Sequence, residues 1–320
     1  MSNANETTSE AQPSAANEAT GRGKLIVFGE HAVVYGHRAV ACSLPRGATA
    51  VVTPSSQPRR SVTHVDGSLE IDERAERALA AIFDTFELSP RHHSVDVELS
   101  IPVGCGLGSS AAMAVAVARS AARLTDLDED DARGRIDEAV AASESVFHGK
   151  SSGIDHAAAL GTGFFAFSNT HGWPEITSLD VPEHRWIVAR VAPPAPTSQM
   201  VASVATLRQR HPQQVDPIFE RFDALASAGA QALEAGRWSD VGALMDLNQG
   251  LLSAIGVSTP DLESACYAAR EAGALGAKLT GAGGGGCIIA LANDDSADDV
   301  MTALQELGQV YSYTLPPSNP

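Results

Sequence analysis

The chain has 320 residues, with 39 acidic side chains against 22 basic ones and a formal net charge of −17. That length buries a large core and suits two domains, whereas the charge excludes nucleic acid as a partner because no basic patch can be assembled to neutralise phosphates. No apolar run approaches the ~20 residues that a bilayer crossing needs, so no membrane partner is expected.

Residues 1–20 are polar and lack the basic start and apolar centre of a secretion signal; they read as a disordered tail on a cytoplasmic protein. Residues 24–28 read as a strand, followed by Gly29-Glu30-His31 and an apolar stretch ending at Tyr35-Gly36. Further strands are expected at 48–52 and 61–65, a helix over 71–86 and an alternating strand over 95–101. Helical spacing returns over 130–147 and breaks at Gly149, with a strand near 163–167. These elements make up a first unit, residues 21–185.

A second unit, residues 186–320, opens with a strand over 186–191. Asp216-Pro217, Ser239-Asp240 and Thr259-Pro260 each read as a helix start, and Gly273 as the glycine ending the third helix. Short strands at 277–279 and 287–291 flank a glycine run; a helix over 296–307 and a strand over 309–315 close an α+β chain.

The most telling stretch lies between the 95–101 strand and the alanine-rich run after it: Pro102, Gly104, Gly106, Leu107, Gly108, Ser109, Ser110, Ala111, Ala112. A helix N-terminus carries unpaired N–H groups and the positive end of the dipole, so it attracts phosphate. Three alternate glycines let backbone approach the anion with no Cβ atoms in the way. A plain turn needs one or two glycines, not three followed by paired hydroxyls.

The chain has only three lysines, Lys24, Lys150 and Lys278, each beside glycines. Arginine has replaced lysine elsewhere, and with the acidic excess this reads as adaptation to a high-salt cytoplasm of the kind salt-accumulating archaea maintain, a halophile's chain. Where lysine is so depleted, those that remain are expected to have chemical duties. Cys42, Cys105, Cys266 and Cys287 form no CxxC pair and read as buried free thiols in a reducing compartment.

Familiar phosphate loops fail on spacing or context. Gly149-Lys150-Ser151 ends like a Walker A motif, but the glycine required at position 144 is Glu144. Gly281-x-Gly283-x-x-Gly286 fits a dinucleotide fingerprint as a string, yet a strand-like segment follows it where a helix is required.

Three segments together resemble the signatures of the GHMP small-molecule kinases. They are Gly23-Lys24 with Gly29-Glu30-His31-Ala32-Val33-Val34-Tyr35-Gly36, the loop from Pro102 to Ala112, and Lys278-Leu279-Thr280 with its glycine run to Cys287. The form Gly-Glu-His-Ala-Val-Val, the segment from His148 to Asp155 and Asn248-Gln249 resemble the mevalonate-phosphorylating branch of that family. The resemblance implies a two-domain GHMP kinase fold, with a ribosomal-protein-S5-like N-terminal domain, a ferredoxin-like C-terminal domain and the active site in the cleft between them. It implies transfer of the ATP γ-phosphate to the 5-hydroxyl of mevalonate, and a homodimer.

It also implies residue roles. Asp155 corresponds to the catalytic carboxylate and Lys24 to the cation beside the reacting oxygen. Glu30, His31, Ser152 and Thr197 map to the acceptor pocket, and Ser110 and Glu144 to ligands of Mg²⁺. The loop from Pro102 to Ala112, with Lys278, Gly281 and Gly283, maps to the nucleotide. Taken without the resemblance, Glu144 reads equally as a solvated helix residue, Asp155 as a helix cap and His31 as a hydrogen-bonded core histidine. Residues 192–197 lack a basic residue that many relatives carry, so an acceptor carboxylate would need Lys150 or an arginine. Phosphomevalonate, homoserine or a sugar are the alternative acceptors, and a non-catalytic nucleotide binder is the alternative class.

Overall fold

The structure, a computed structural model, describes residues 17–65, 67–148, 152–170 and 173–315. Most of the expected tail and the whole of Gly149-Lys150-Ser151 lie outside the described residues, and with them Lys150. In chain order the first half runs β1 (Ala19–Phe28), a 3-10 turn (Ala32–Tyr35), β2 (Ala39–Pro54), β3 (Arg60–His64), β4 (Gly67–Leu69), α1 (Glu73–Thr85), β5 (His93–Leu99), α2 (Ser109–Ala122), α3 (Glu129–His148), α4 (Ile154–Leu160), β6 (Phe164–Thr170) and β7 (Trp173–Leu179). The second half runs β8 (His184–Ala192), α5 (Thr197–Arg210), α6 (Pro212–Glu234), α7 (Trp238–Ala254), α8 (Pro260–Glu271), β9 (Gly276–Thr280), β10 (Gly286–Ala292), α9 (Ala297–Gln305) and β11 (Gln309–Leu315).

The first half builds one sheet in the order β4-β3-β5-β2-β6-β7, with β1 also paired to β2. Among the described residues only the β3–β5 pair of this sheet is parallel. The second half builds an antiparallel sheet ordered β11-β8-β10-β9. The two sheets share one core: Leu25, Val27 and Phe164 of the first meet Trp186, Ile289 and Leu315 of the second. The rings of Phe164 and Trp186 lie 5.8 Å apart. Among the described residues no helix is long and apolar enough to cross a membrane, and all four cysteines are buried free thiols.

Helix α2 is alanine-rich because backbone presses on it. A Cβ at Gly21 in β1 would come within 2.0 Å of the Ala112 carbonyl oxygen, so this helix and strand touch main chain to main chain. Side chains from Ala111 to Ala118, Met113 excepted, are fully buried. That position sets where the helix N-terminus points.

Several expected elements are displaced. Strand β2 runs far beyond 48–52: its first six residues are buried on both faces, which erases the alternation that marks a half-exposed strand. Strand β7 was not foreseen, because residues 174–178 of this edge strand are exposed and leave no apolar signal. Helix α5 buries only Met200 and Val204, too thin a stripe to show. Asp216-Pro217 does not open a helix: α6 starts at Pro212, and the Asp216 carboxylate accepts from Arg208 Nε at 2.5 Å in place of capping. Likewise α7 starts at Trp238, with Asp240 turned back onto Arg237 at 2.9 Å. Thr259 does cap α8 through the Leu262 N–H, and Gly273 does follow its end with φ 99°.

Candidate active site

The loop before α2 carries three left-handed glycines at alternate positions, Gly104 (φ 74°), Gly106 (φ 76°) and Gly108 (φ 73°). L side chains rarely adopt that conformation, so the spacing read in the sequence is a backbone requirement. Gly108 is the N-cap of α2 and makes no side-chain cap, which leaves the first N–H groups of the helix, beginning at Ser109 and Ser110, facing the loop. The loop is tied down by the Lys24 N–H, which donates to the Leu107 carbonyl at 2.9 Å. Pro102, Leu107, Ala111 and Ala112 turn their side chains into the core, so any contact they make with a nucleotide is through main chain, a narrower role than the sequence suggested.

Gly106 also meets the second half of the chain. A Cβ on Gly281 would come 2.8 Å from the Gly106 Cα. The two glycine loops thus touch with no side chain between them. Thr280 adds a clasp beside this contact: its hydroxyl accepts from the Ile26 N–H at 3.2 Å and donates to the Ile26 carbonyl at 3.1 Å. Gly283 lies one residue beyond the part of this loop that lines the cavity. It packs against the Val257 carbonyl and shapes the loop; it is not part of the cavity wall.

Below the glycine loop lies a cavity of about 370 Å³. The Lys24 ammonium is ion-paired there with the Asp155 carboxylate, and the lysine stem lies against Gly108. Asp155 sits in the first turn of α4, whose N-cap is Gly153 with no side-chain cap; its carboxylate is thus committed to Lys24 and not to capping. Glu144, in the buried face of α3, is 3 % exposed. Burial first, and then the Asp155 charge, push its carboxyl up to about 7, against a hydrogen bond with Ser110 and the Lys24 charge, which oppose the rise. Lys24, Asp155, Glu144 and Ser110, spread over four elements, therefore form one electrostatic cluster.

The cavity wall also carries Glu30, His31, Ser152 and Thr197. His31 is a non-glycine residue with φ 60°, and its Nε2 donates to the Ala282 carbonyl at 2.8 Å. Burial lowers its pKa, so the ring is neutral at pH 7 and its Nδ1 is a hydrogen-bond acceptor. Ser152 is steadied by Asn169, whose Nδ2 donates to the Ser152 carbonyl at 3.2 Å. Val33, Val34, Val201 and Ala205 make the rest of this wall apolar.

Lys278 does not stand where it was expected. It is fully buried behind the wall, with its ammonium on the Glu30 carboxylate and, at 2.7 Å, on the Leu279 carbonyl. Desolvation of the ammonium outweighs the Glu30 charge and lowers its pKa. Two of its three donors are taken by these acceptors, and the ammonium is shut off from the cavity by burial. Asn248 was noticed only for its resemblance; its Nδ2 donates to the other Glu30 oxygen at 3.2 Å. No local pattern announces that partnership, nor that of Thr280 with Ile26. Among the described residues lining the cavity, Lys24 is the sole lysine or arginine, so no arginine there replaces Lys150 as the partner of an acceptor carboxylate.

A fold of two sheets that closes glycine loops from both halves over a paired lysine and aspartate defines a small-molecule kinase of the GHMP class. The family model for the GHMP kinases N terminal domain matches residues 73–163, and that for GHMP kinases C terminal matches residues 230–310. The mevalonate kinase of Thermococcus gammatolerans is 33% identical over 313 residues, covering 89% of this chain and 91% of that protein. That of Methanothermobacter thermautotrophicus is 35% identical over 299 residues, covering 90% and 94%. The crystal structure of L. major mevalonate kinase in complex with R-mevalonate superimposes with a TM-score of 0.82 at 26% identity, covering 95% of this chain and 97% of that one. The chain belongs to the mevalonate kinase family.

Proposed function

We propose that this chain transfers the γ-phosphate of ATP to the 5-hydroxyl of mevalonate. The observation that carries the reading is the Lys24–Asp155 ion pair at the cavity, set directly below a backbone cradle for phosphates. The mevalonate kinases of the two archaeal relatives support the choice of acceptor. Among the described residues the cavity offers no unpaired lysine or arginine for a second phosphate group, which disfavours an acceptor already phosphorylated.

The cradle N–H groups at the start of α2 bind triphosphate oxygens, and Gly106 and Gly281 allow the approach. The acceptor hydroxyl sits against Asp155, which orients it and takes its proton late, as the phosphoryl group moves across in a loose transition state. Lys24 holds Asp155 in place and meets the charge that gathers on the transferring oxygens. Thr197 and Ser198, at the start of α5 and on the cavity wall, supply hydroxyl donors to the acceptor carboxylate, while His31 Nδ1 accepts from a second hydroxyl.

Mg²⁺ fits the donor set. Ser110 and Glu144 are hard oxygen donors in one electrostatic cluster, and the buried carboxylate has too little compensating charge nearby to ionise at its ordinary pKa. Among the described residues no cluster of three or more His, Cys, Asp or Glu side chains could hold a metal alone, so phosphate oxygens would have to complete the ion's coordination. Bound there, Mg²⁺ supplies neutralisation of the triphosphate charge.

The test is ADP release by the purified chain with ATP and Mg²⁺ in molar KCl, offered mevalonate, phosphomevalonate, homoserine or galactose in turn. Turnover is expected with mevalonate. Turnover only with another acceptor rejects the assignment of substrate, and absence of turnover with every acceptor rejects catalysis.

A further inference from the structure

We propose that Lys278 and Asn248 are positioning residues for the acceptor site: they grip both oxygens of Glu30 and through it hold the Gly29-Glu30-His31 turn that brings His31 into the cavity wall. This rests on the acceptor-site reading above and adds a device to it.

The turn needs outside support to hold its shape. Gly29 has φ 90° and His31 φ 60°, and a Cβ on Gly29 would come 2.4 Å from the Arg38 carbonyl oxygen. A strained backbone of this kind persists only where its surroundings over-determine it. Glu30, at the centre of the turn, is 1 % exposed. Its Oε1 meets the Lys278 ammonium and its Oε2 accepts from Asn248 at 3.2 Å. A second tie runs in parallel from His31 Nε2 to the Ala282 carbonyl. Every one of these partners comes from the second half of the chain.

Those partners are themselves fixed. Strand β9, which carries Lys278, is the edge of its sheet, and its outward N–H groups would be left unpaired. Helix α7 closes that edge with side chains: the Ala277 N–H donates to Asp246 Oδ1 at 3.0 Å and the Leu279 N–H to Gln249 Oε1 at 2.9 Å. Backbone contact between Gly242 of α7 and Gly276 of β9 makes the approach close enough. Asn248 lies between these two α7 residues. The same helix thus anchors both the strand that carries Lys278 and the amide that completes the grip on Glu30.

The choice of residue type agrees. Lysine is scarce in this chain, three residues against nineteen arginines, yet a compact ammonium stands at this fully buried point. A guanidinium is larger and planar and has a fixed fork of donors. Lys278 also balances a buried carboxylate that would otherwise be uncompensated.

The experiment compares wild type, Lys278→Met, Asn248→Leu and the double variant Glu30→Gln with Lys278→Met, measuring kcat and both KM values. Lys278→Met is expected to raise the acceptor KM by about tenfold or more while the ATP KM stays within about twofold. Asn248→Leu shifts the acceptor KM in the same direction by a smaller factor. The double variant recovers much of the loss, since a neutral amide at position 30 needs no ammonium. Should Lys278→Met fail to fold, the double variant and Asn248→Leu carry the same test. Unchanged KM values with fewer active molecules, equal rises in both KM values, or a double variant no better than Lys278→Met overturns the proposal. Wild type inactive on mevalonate removes the acceptor assignment instead, a result that the wild-type arm reads separately.

Discussion

Gly106 of the phosphate loop and Gly281 of the second glycine run meet main chain to main chain, so close that a methyl group on Gly281 would fall 2.8 Å from the Gly106 Cα. Both residues also have positive φ, 76° and 84°. Gly281→Ala therefore suffers twice, from a strained backbone and from a clash with atoms that have no flexible end to yield. It is expected to destabilise the fold by about 1–3 kcal/mol and to raise the ATP KM by displacing the loop. Denaturant unfolding and initial-rate kinetics check both effects; an unaltered ATP KM would show that the contact does not set the loop.

Lys24→Met and Asp155→Asn each remove one side of the ion pair. Each is expected to lower kcat by about 10²–10⁴ while ATP binding is retained. Because the two act as a unit, the double variant should be little worse than either single one. Isothermal titration with a non-hydrolysable ATP analogue, beside turnover, separates chemistry from binding. Full activity in Asp155→Asn sinks the mechanism.

Glu144 makes a prediction about pH. Its carboxyl titrates near 7 in the folded chain against an ordinary 4.5, so the folded state holds its proton more tightly than the unfolded state does. Stability from this group is fully present below about pH 4.5 and is lost as pH rises through about 7. Glu144→Gln has no charge to bury and should unfold at higher temperature than wild type at pH 8, by at most about 3 kcal/mol in stability, with the gap closing near pH 4.5. Added Mg²⁺ with nucleotide should stabilise wild type and not the variant, and the variant should lose most of its turnover. Thermal unfolding across the pH range decides it; a variant less stable than wild type at pH 8 contradicts the account.

The net charge of −17 yields a prediction about salt. Mutual repulsion of surface carboxylates is screened over ~10 Å at 0.1 M salt but over only ~3 Å at 1 M. The unfolding temperature should therefore climb by several degrees between about 0.1 M and 2 M KCl. A flat or falling profile would separate the acidic surface from any need for high salt.

Much of the site was legible because its requirements are local. Gly104, Gly106 and Gly108 must take positive φ, and only glycine does so freely, so the spacing was written into the sequence. Strands such as β11 and helices such as α8 carried their own alternation or caps. The failures were also physical. Strand β2 lost its period by being buried on both faces, and Asp216 looked like a cap because only the fold brings Arg208 to it. Lys278, notable as one of three lysines, lies buried on Glu30 and not on the cavity surface, a placement that no local pattern could give.

By itself the sequence determined the phosphate loop, the mixed α+β pattern, the acidic surface and the scarcity of lysine, all of which depend on residue type and on neighbours within a few positions. Only the tertiary structure decided which charge meets which: Lys24 with Asp155, Lys278 and Asn248 with Glu30, Ser110 with Glu144. A pairing in space is a property of two elements brought together by a shared core. No stretch of chain encodes it alone.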